Sequence, residues 1–352
     1  MAVTSPTAVP THVPTHVLKH VPEDFLVREN LVVPLTADGP YRYLLLRKRG
    51  LTTSEAVRLL ARHTGLEPGE VAYAGLKDED GVTEQLVSVP AAAPLDGDVE
   101  LAEPGGGTLR ATHHGHGAEP LVVGGLNGNG FRVVVRDLDE SIATALATAG
   151  RINLLFVNYY DTQRFGVPGG PKRTHLVGAA LNAGDPGTAL RELAGLAAPE
   201  SPAAAAWTGD SGAFFRSLDP RTVAFYRSAH SSAQWNAQVR EVVAAECGDR
   251  AVEATVDGLS YLLPVDDAGA ARVQGVLHEL DYVRHVHRAG PVQQVVPRPV
   301  VVQAVVALHA AGPDPEFPGR FAACAQFQLP TGCYATAALR QLLLRVRPLE
   351  AP

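Results

Sequence analysis

Lysine, cysteine, methionine and long apolar runs are all scarce in this chain of 352 residues. The lysines are Lys19, Lys48, Lys77 and Lys172, and every other basic side chain apart from histidine is an arginine. Together with an excess of Ala, Val and Gly, this reflects GC-rich coding and carries no function by itself. Cys247, Cys324 and Cys333 are scattered, odd in number and outside any CxxC pair, which argues against a disulfide framework and against a zinc site. No apolar stretch is long enough to cross a bilayer, so no membrane association is expected. The opening MAVTSPTAVPTHVPTHV lacks both a basic start and a continuous apolar segment, so it does not read as a secretory signal. Residues 1–16 are expected to be a flexible lead-in, and the chain is expected in the cytoplasm. A basic excess is missing too: the formal net charge is −7. That argues against a protein that coats nucleic acid over its whole surface, while leaving room for a local basic groove.

What is present is an ordinary globular composition, 46% hydrophobic and 19% charged, long enough for two domains or one large one. YRYLLLRKR (41–49) suits a strand. Thr52 to Glu55 matches a capping box, apolar residues then follow at helical spacing, and Gly65 ends that helix. VAYAG (71–75) and QLVSV (85–89) read as strands, with LKDEDGVTE on the connection between them, a place where catalytic groups are often displayed. Residues 91–130 are rich in turn signals, FRVVVRDL (131–138) is a strand, and a helix follows from about Ser141 to Thr148. Residues 174–246 are mostly helical; 300–308 and 321–329 are strands, and a last helix covers Tyr334 to Leu344. Strands, then helices, then strands predict an α+β chain in which a sheet domain is interrupted by a largely helical insertion.

Four segments stand out: LKHVPEDFLVRE (18–29), AGLKDEDGVTEQ (74–85), NYYDTQRFG (158–166) and FQLPTGCYATAALRQLL (327–343). Taken singly they say little. An isolated Lys77-Asp78 pair after a glycine is better explained as a turn. NYYDTQRFG could stack and hydrogen-bond a base, or could equally be a polar junction. Together, and in this order, they resemble the TruD-type pseudouridine synthases. The second segment resembles that family's catalytic Gly-x-Lys-Asp followed by Thr-x-Gln, here Gly75, Lys77, Asp78, Thr83 and Gln85. The first resembles its Lys-x-x-Pro-Glu-Asp-Phe start, with Lys19, Pro22, Glu23, Asp24, Phe25 and Glu29. The third resembles Asn-Tyr-Phe-Gly-x-Gln-Arg-Phe-Gly, and the fourth Leu-Pro-x-Gly-x-x-Ala-Thr with a following arginine, Arg340.

The resemblance implies a pseudouridine synthase-like catalytic domain with a mixed or antiparallel central sheet (17–155 and 298–352) and an inserted, mostly helical TRUD domain (156–297). It implies isomerisation of uridine to pseudouridine, most simply in transfer RNA, with Asp78 as the catalytic carboxylate. The reaction is redox-neutral and consumes no group donor, so no cofactor and no metal are expected. Lys19 is the first candidate for a cation beside the carboxylate, and Arg340 the second. Phe131 matches the family's stacking position, with Asn129 beside it; from spacing alone Phe131 would be a core residue, and Asn129 could equally cap its turn. Arg47, Lys48, Arg49, Arg164, Lys172 and Arg173 are candidate phosphate contacts, each singly better explained as a solvated charge. His113, His114 and His116 suggest a metal by composition, but their crowded spacing favours an exposed turn.

This chain also departs from the family pattern. Glu79, Asp80 and Gly81 make the loop after Asp78 more acidic, although the motif register selects Asp78 over Asp80. Tyr160 and Asp161 replace Phe and Gly, and the stretch between about 285 and 326 is shorter than usual. These departures fit a specialised synthase acting on a free nucleotide or another RNA for a C-nucleoside pathway. A non-catalytic RNA-binding or chaperone role is the remaining alternative, and would not require Asp78, Lys19 and Phe131 together.

Overall fold

The computed structural model describes residues 12–77, 80–95, 97–166, 169–287 and 290–346. Residues 1–11 of the expected lead-in therefore lie outside the described residues. A 3-10 turn at Pro22–Asp24 leads into β1 (Phe25–Asn30), β2 (Tyr41–Arg49), α1 (Thr53–Thr64), a short β3 (Ala72–Tyr73) and β4 (Val82–Pro90). Next come β5 (Val99–Ala102), β6 (Thr108–Gly117), β7 (Gly128–Leu138), α2 (Glu140–Ala149) and β8 (Arg151–Val157). The middle of the chain carries α3 (Thr174–Asn182), α4 (Pro186–Ala194), α5 (Ser201–Ala206), α6 (Ser211–Ser217) and the long α7 (Pro220–Cys247). It continues through β9 (Ala251–Val256), β10 (Leu259–Pro264), α8 (Asp267–Val276), β11 (Glu279–His287) and β12 (Pro291–Pro299). β13 (Val301–Pro313), β14 (Phe321–Leu329) and α9 (Ala335–Arg345) complete the described chain. Among the described residues, no helix is long and apolar enough to cross a membrane.

The chain divides into two compact units. The sheet unit comprises Pro14–Asn153 with Ala304–Gly332; the helical unit comprises Leu154–Gln303 with Cys333–Arg345 and residues 12–13. The sheet runs in the order β5-β6-β2-β4-β1-β7-β14-β13-β8, with β3 paired to β4 off this path. The last residues of β8 and the first of β13 are counted with the helical unit. β1 runs parallel to β4 and antiparallel to β7, and β7 runs antiparallel to β14.

The local logic of the sheet unit is visible at β2 and α1. Alternation along β2 buries Leu44, Leu46 and Lys48 and turns Arg47 and Arg49 outward. Leu44 and Leu46 pack with Ala56, Val57 and Leu60 of α1 and with Val87, Val89 and Leu109. Full burial of each such side chain contributes about 1.5–3 kcal/mol. The predicted capping box holds: Thr52 Oγ1 accepts the Glu55 amide at 3.2 Å, and Glu55 accepts the Thr52 amide at 2.7 Å. Gly65 closes α1 in the left-handed conformation, φ 67°.

The turn-rich reading of 91–130 missed the β5–β6 hairpin. His113, His114 and His116 consequently lie on β6 and not in an exposed turn, with His113 opposite Leu44 and His116 opposite Arg42 of β2. Glycines at 115 and 117 masked the strand in the sequence. The pairing shifts register between Tyr43 and Leu44, beside Gly115. Among the described residues, no group of three or more His, Cys, Asp or Glu is arranged to hold a metal.

The helical unit has two cores. Val177, Leu181 and Leu193 pack with Phe214, Phe215 and Tyr226. Trp235, Val239 and Val243 of α7 pack with Val252, Tyr261, Val273 and Tyr282. Two antiparallel hairpins, β9–β10 and β11–β12, join the expected helices. α9 was expected with the catalytic segments, yet it clusters with the helical unit. The reason is local: buried Gln341 donates to the Val157 carbonyl at 2.9 Å and accepts the Val157 amide at 2.8 Å.

Candidate active site

Parallel pairing fixes where the first two motif segments meet. Leu26 of β1 lies opposite Val82 of β4. Parallel strands begin at the same end of a sheet, so the segments that enter β1 and β4 leave it together. Gly81 makes the approach possible: a Cβ there would sit 2.3 Å from the Phe25 carbonyl oxygen. The lead into β1 is pinned from the opposite side. Arg136 of β7 donates to both oxygens of buried Asp24 at 2.7 Å and to Asp314 at 2.8 Å.

Lys19 arrives at this end with φ 58°, a backbone conformation uncommon for a long side chain and one that costs energy to hold. Its ammonium lies 3.5 Å from Asp80 and 4.6 Å from the centre of the Phe25 ring. Asp78 and Glu79 lie outside the described residues. The acid seen beside Lys19 is therefore Asp80, which the motif register had set aside.

The sheet face supplies an aromatic row. Phe131 lies directly opposite Val27 on one side and Phe327 on the other. Its ring stacks on Phe327 at 5.4 Å, with 23° between planes, and meets Phe25 edge-on at 6.1 Å. Asn129, two residues earlier and so on the same face, lies opposite Glu29 and Leu329. Its buried Oδ1 has no hydrogen-bond partner among the described residues. Open buried acceptors of this kind are few in folded proteins.

On the same face, next to Asn129, sits a closed ion pair. Lys77 Nζ donates to Glu29 at 2.8 Å with both side chains nearly dry, and the other Glu29 oxygen accepts the Leu86 amide at 3.2 Å. Gly75 gives the pair its room: a Cβ would fall 2.5 Å from Leu126 Cδ1 and 3.4 Å from Lys77 Nζ. The Gly-x-Lys spacing is thus a packing requirement as well as a motif.

Several expected contacts are corrected by the structure. Arg340 belongs to the helical unit, where its guanidinium lies 3.3–3.4 Å from the Asp161 carboxylate. Thr336 also donates to Asp161, and the pair is buried. Arg340 is therefore not a spare cation for a pocket; Asp161, where the family pattern has glycine, matches its charge. Lys48 is 1% exposed, because it occupies an inward position of β2. Lys172 is buried, with Nζ 3.4 Å from the Gly166 carbonyl. Arg164 is half-buried, bonded to Ser232 and Tyr282 and lying over Phe225. Arg47, Arg49 and Arg173 are exposed, each beside a carboxylate: Glu84, Glu23 and Glu192.

Sequence reasoning quoted Phe25, Phe327 and Glu29 within the motifs without giving them roles. Period-two alternation was the available signal, since it places Phe327 on one face with Leu329 and Glu29 on one face with Val27 and Phe25. It could not show that the two faces meet.

Comparison with known proteins agrees with this arrangement. The family model of tRNA pseudouridine synthase D (TruD) matches residues 13–222. A tRNA pseudouridine synthase D from Geotalea daltonii is 37% identical over 176 residues, covering 49% of this chain and 43% of that protein. One from Geobacter sulfurreducens is 38% identical over 171 residues, covering 47% and 39%. In these two comparisons the chain spans less than half the length of its relative. A tRNA pseudouridine synthase D from Stutzerimonas stutzeri is 30% identical over 338 residues, covering 92% of this chain and 91% of that protein. A crystal structure from Methanosarcina mazei that carries the TruD name superposes with a TM-score of 0.57 at 19% identity over 95% of this chain and 94% of that one, which supports the fold. With motif order, sheet topology and an end-to-end relative in agreement, the chain belongs to the TruD family.

Proposed function

We propose that this protein isomerises uridine to pseudouridine in transfer RNA, with Asp78 as the carboxylate that acts on the nucleotide. The N1–C1′ bond breaks, the detached uracil turns, and C5 bonds to C1′; the proton lost from C5 is balanced by one gained at N1. No electron acceptor or group donor enters, so the residues need only bind, orient, stabilise charge and help carry the proton from C5 to N1. The observation that carries the reading is the parallel β1–β4 pair, which brings Lys19 to the loop of the Gly-x-Lys-Asp motif beside the Phe131–Phe327 face. An ordinary aspartate, with a pKa near 3.9, is ionised at neutral pH. A lysine close by favours that ionised form in a partly dry site.

An aromatic surface supports a loose base while leaving it free to rotate in its own plane. Phe131 is the platform in this reading, and the open Asn129 acceptor is placed to take an N–H from the base edge. A uridine within folded RNA must first be flipped out, at a cost of a few kcal/mol. Phosphate contacts from Arg47 and Arg49 would offset that cost; their surface carboxylate partners hold them weakly, by about 0–1 kcal/mol. Arg173 of the helical unit is the remaining exposed candidate. The tRNA pseudouridine synthase D names of the relatives support an RNA substrate, and with it action in the cytoplasm.

The test is to incubate the protein with uridine-labelled transfer RNA and, separately, with uridine and uridine monophosphate, and to analyse the nucleosides. Pseudouridine is expected from the RNA. Product from the small molecules alone would transfer the assignment to a nucleotide-level synthase.

A further inference from the structure

Lys48 is a buried cation with no place in the phosphate-binding role first given to it. Its ammonium donates to the Leu51 carbonyl at 2.6 Å and to the Lys77 carbonyl at 3.2 Å. Thr53, the first residue of α1 and also 1% exposed, holds the same residue by its other polar group. The Thr53 hydroxyl oxygen accepts the Lys77 amide at 2.8 Å, while the Thr53 amide donates to the Lys77 carbonyl at 3.3 Å. The hydroxyl proton goes to Gln85 Oε1 at 2.9 Å, and Gln85 Nε2 donates to the Gly75 carbonyl at 3.1 Å. The Lys77 side chain is meanwhile committed to Glu29. Every polar group of Lys77 is thus held, and the next atom along the chain is the nitrogen of Asp78.

A turn can be held by neutral donors alone. Removing an ammonium from water is costly, and a fold keeps one buried where it meets a specific demand. The demand visible here is a fixed main chain immediately before the carboxylate. We propose that Thr53 and Lys48 are positioning residues: they clamp the amide and carbonyl of Lys77 and so set where the following Asp78 presents its carboxylate. This inference rests on the reading of Asp78 as the acting group. Neither Thr53 nor Lys48 touches substrate in it. Displacing a reacting group by about 1 Å can cost on the order of 100-fold in rate.

The experiment compares Thr53→Val, which keeps shape and loses the hydroxyl, with Thr53→Ser, which keeps the hydroxyl, using pseudouridine formation in transfer RNA and amide hydrogen exchange. Thr53→Val should lower kcat by about 10- to 100-fold with KM unchanged, and should speed exchange of the Lys77 amide while β7 amides stay protected. Thr53→Ser should restore both. Lys48→Met should show the same kcat-selective loss. Wild-type kcat in Thr53→Val, or equal damage in Thr53→Ser, would overturn the proposal, as would an unaltered Lys77 amide in Thr53→Val. If the unmodified protein makes no pseudouridine, the functional reading fails on its own, and the exchange comparison still decides whether the clamp exists.

Discussion

The helical unit closes Arg340 against Asp161, whereas the sheet unit closes some of its charged motif residues, Lys77 with Glu29 and Asp24 with Arg136, and leaves Lys19 partly open. In the helical unit, Arg298 donates to both the carbonyl and the side-chain oxygen of Asn158 and lies 4.0 Å from the centre of the Tyr160 ring. Arg340 is matched to Asp161. Burial drives the Tyr160 phenol far above its ordinary range and pushes Tyr334 up to about 12. In the sheet unit, Lys19 sits at a strained backbone position, 3.5 Å from a partly exposed Asp80, and the Asn129 amide oxygen has no partner among the described residues. Closed networks of the first kind hold a fold. Open polar groups around an aromatic face are what chemistry needs. The family motifs therefore mark two kinds of residue, and the structure separates them.

That contrast can be broken most sharply at Asp78. Asp78→Asn should reduce pseudouridine formation by on the order of 10³-fold or more while leaving the thermal midpoint in place. Full turnover in that variant would end the catalytic assignment. The opposite behaviour is expected at Asp161. Asp161→Asn strands a buried arginine and should cost about 3–5 kcal/mol in urea unfolding, and Asp161→Asn combined with Arg340→Met should recover much of it. An unchanged urea midpoint would show that the pair is not structural. Phe131→Leu keeps an apolar filling but loses the flat platform. Its kcat/KM should fall by about tenfold, in line with the roughly 1–3 kcal/mol that base stacking supplies, with little change in stability. The smallest effects belong to the surface: Arg47→Ala and Arg49→Ala should each lower the slope of log affinity against log salt by about one, and a slope equal to wild type would remove that arginine from the RNA contacts.

Much of the frame was legible in the sequence because its signals are local. β2, the α1 capping box and α7 follow from residue periodicity and end residues. The β5–β6 and β11–β12 hairpins were not, since glycine, histidine and proline in those strands dilute the two-residue pattern that marks a strand. The motifs pointed to Lys19 and Phe131, which lie beside Asp80 and against Phe327, and the order of segments identified the family. Lys48 was misjudged because a lysine between two arginines looks solvated until strand alternation fixes which of the three points inward. The partnership of Arg340 with Asp161 was hidden for a different reason. It joins residues far apart in sequence, and a departure from the family pattern at one of them is the clue that needed a structure to read.

The aromatic face has a consequence for how the protein comes into being. Phe25 lies on β1, Phe131 well downstream on β7, and Phe327 further on again, on β14. β1 has to wait for β7, and β7 for β14, before the row is complete. Such long-range pairings form slowly compared with the local contacts of α1 or α7. On the ribosome, β14 emerges after β1 and β7, so the aromatic row stays incomplete until Phe327 is free to pair opposite Phe131.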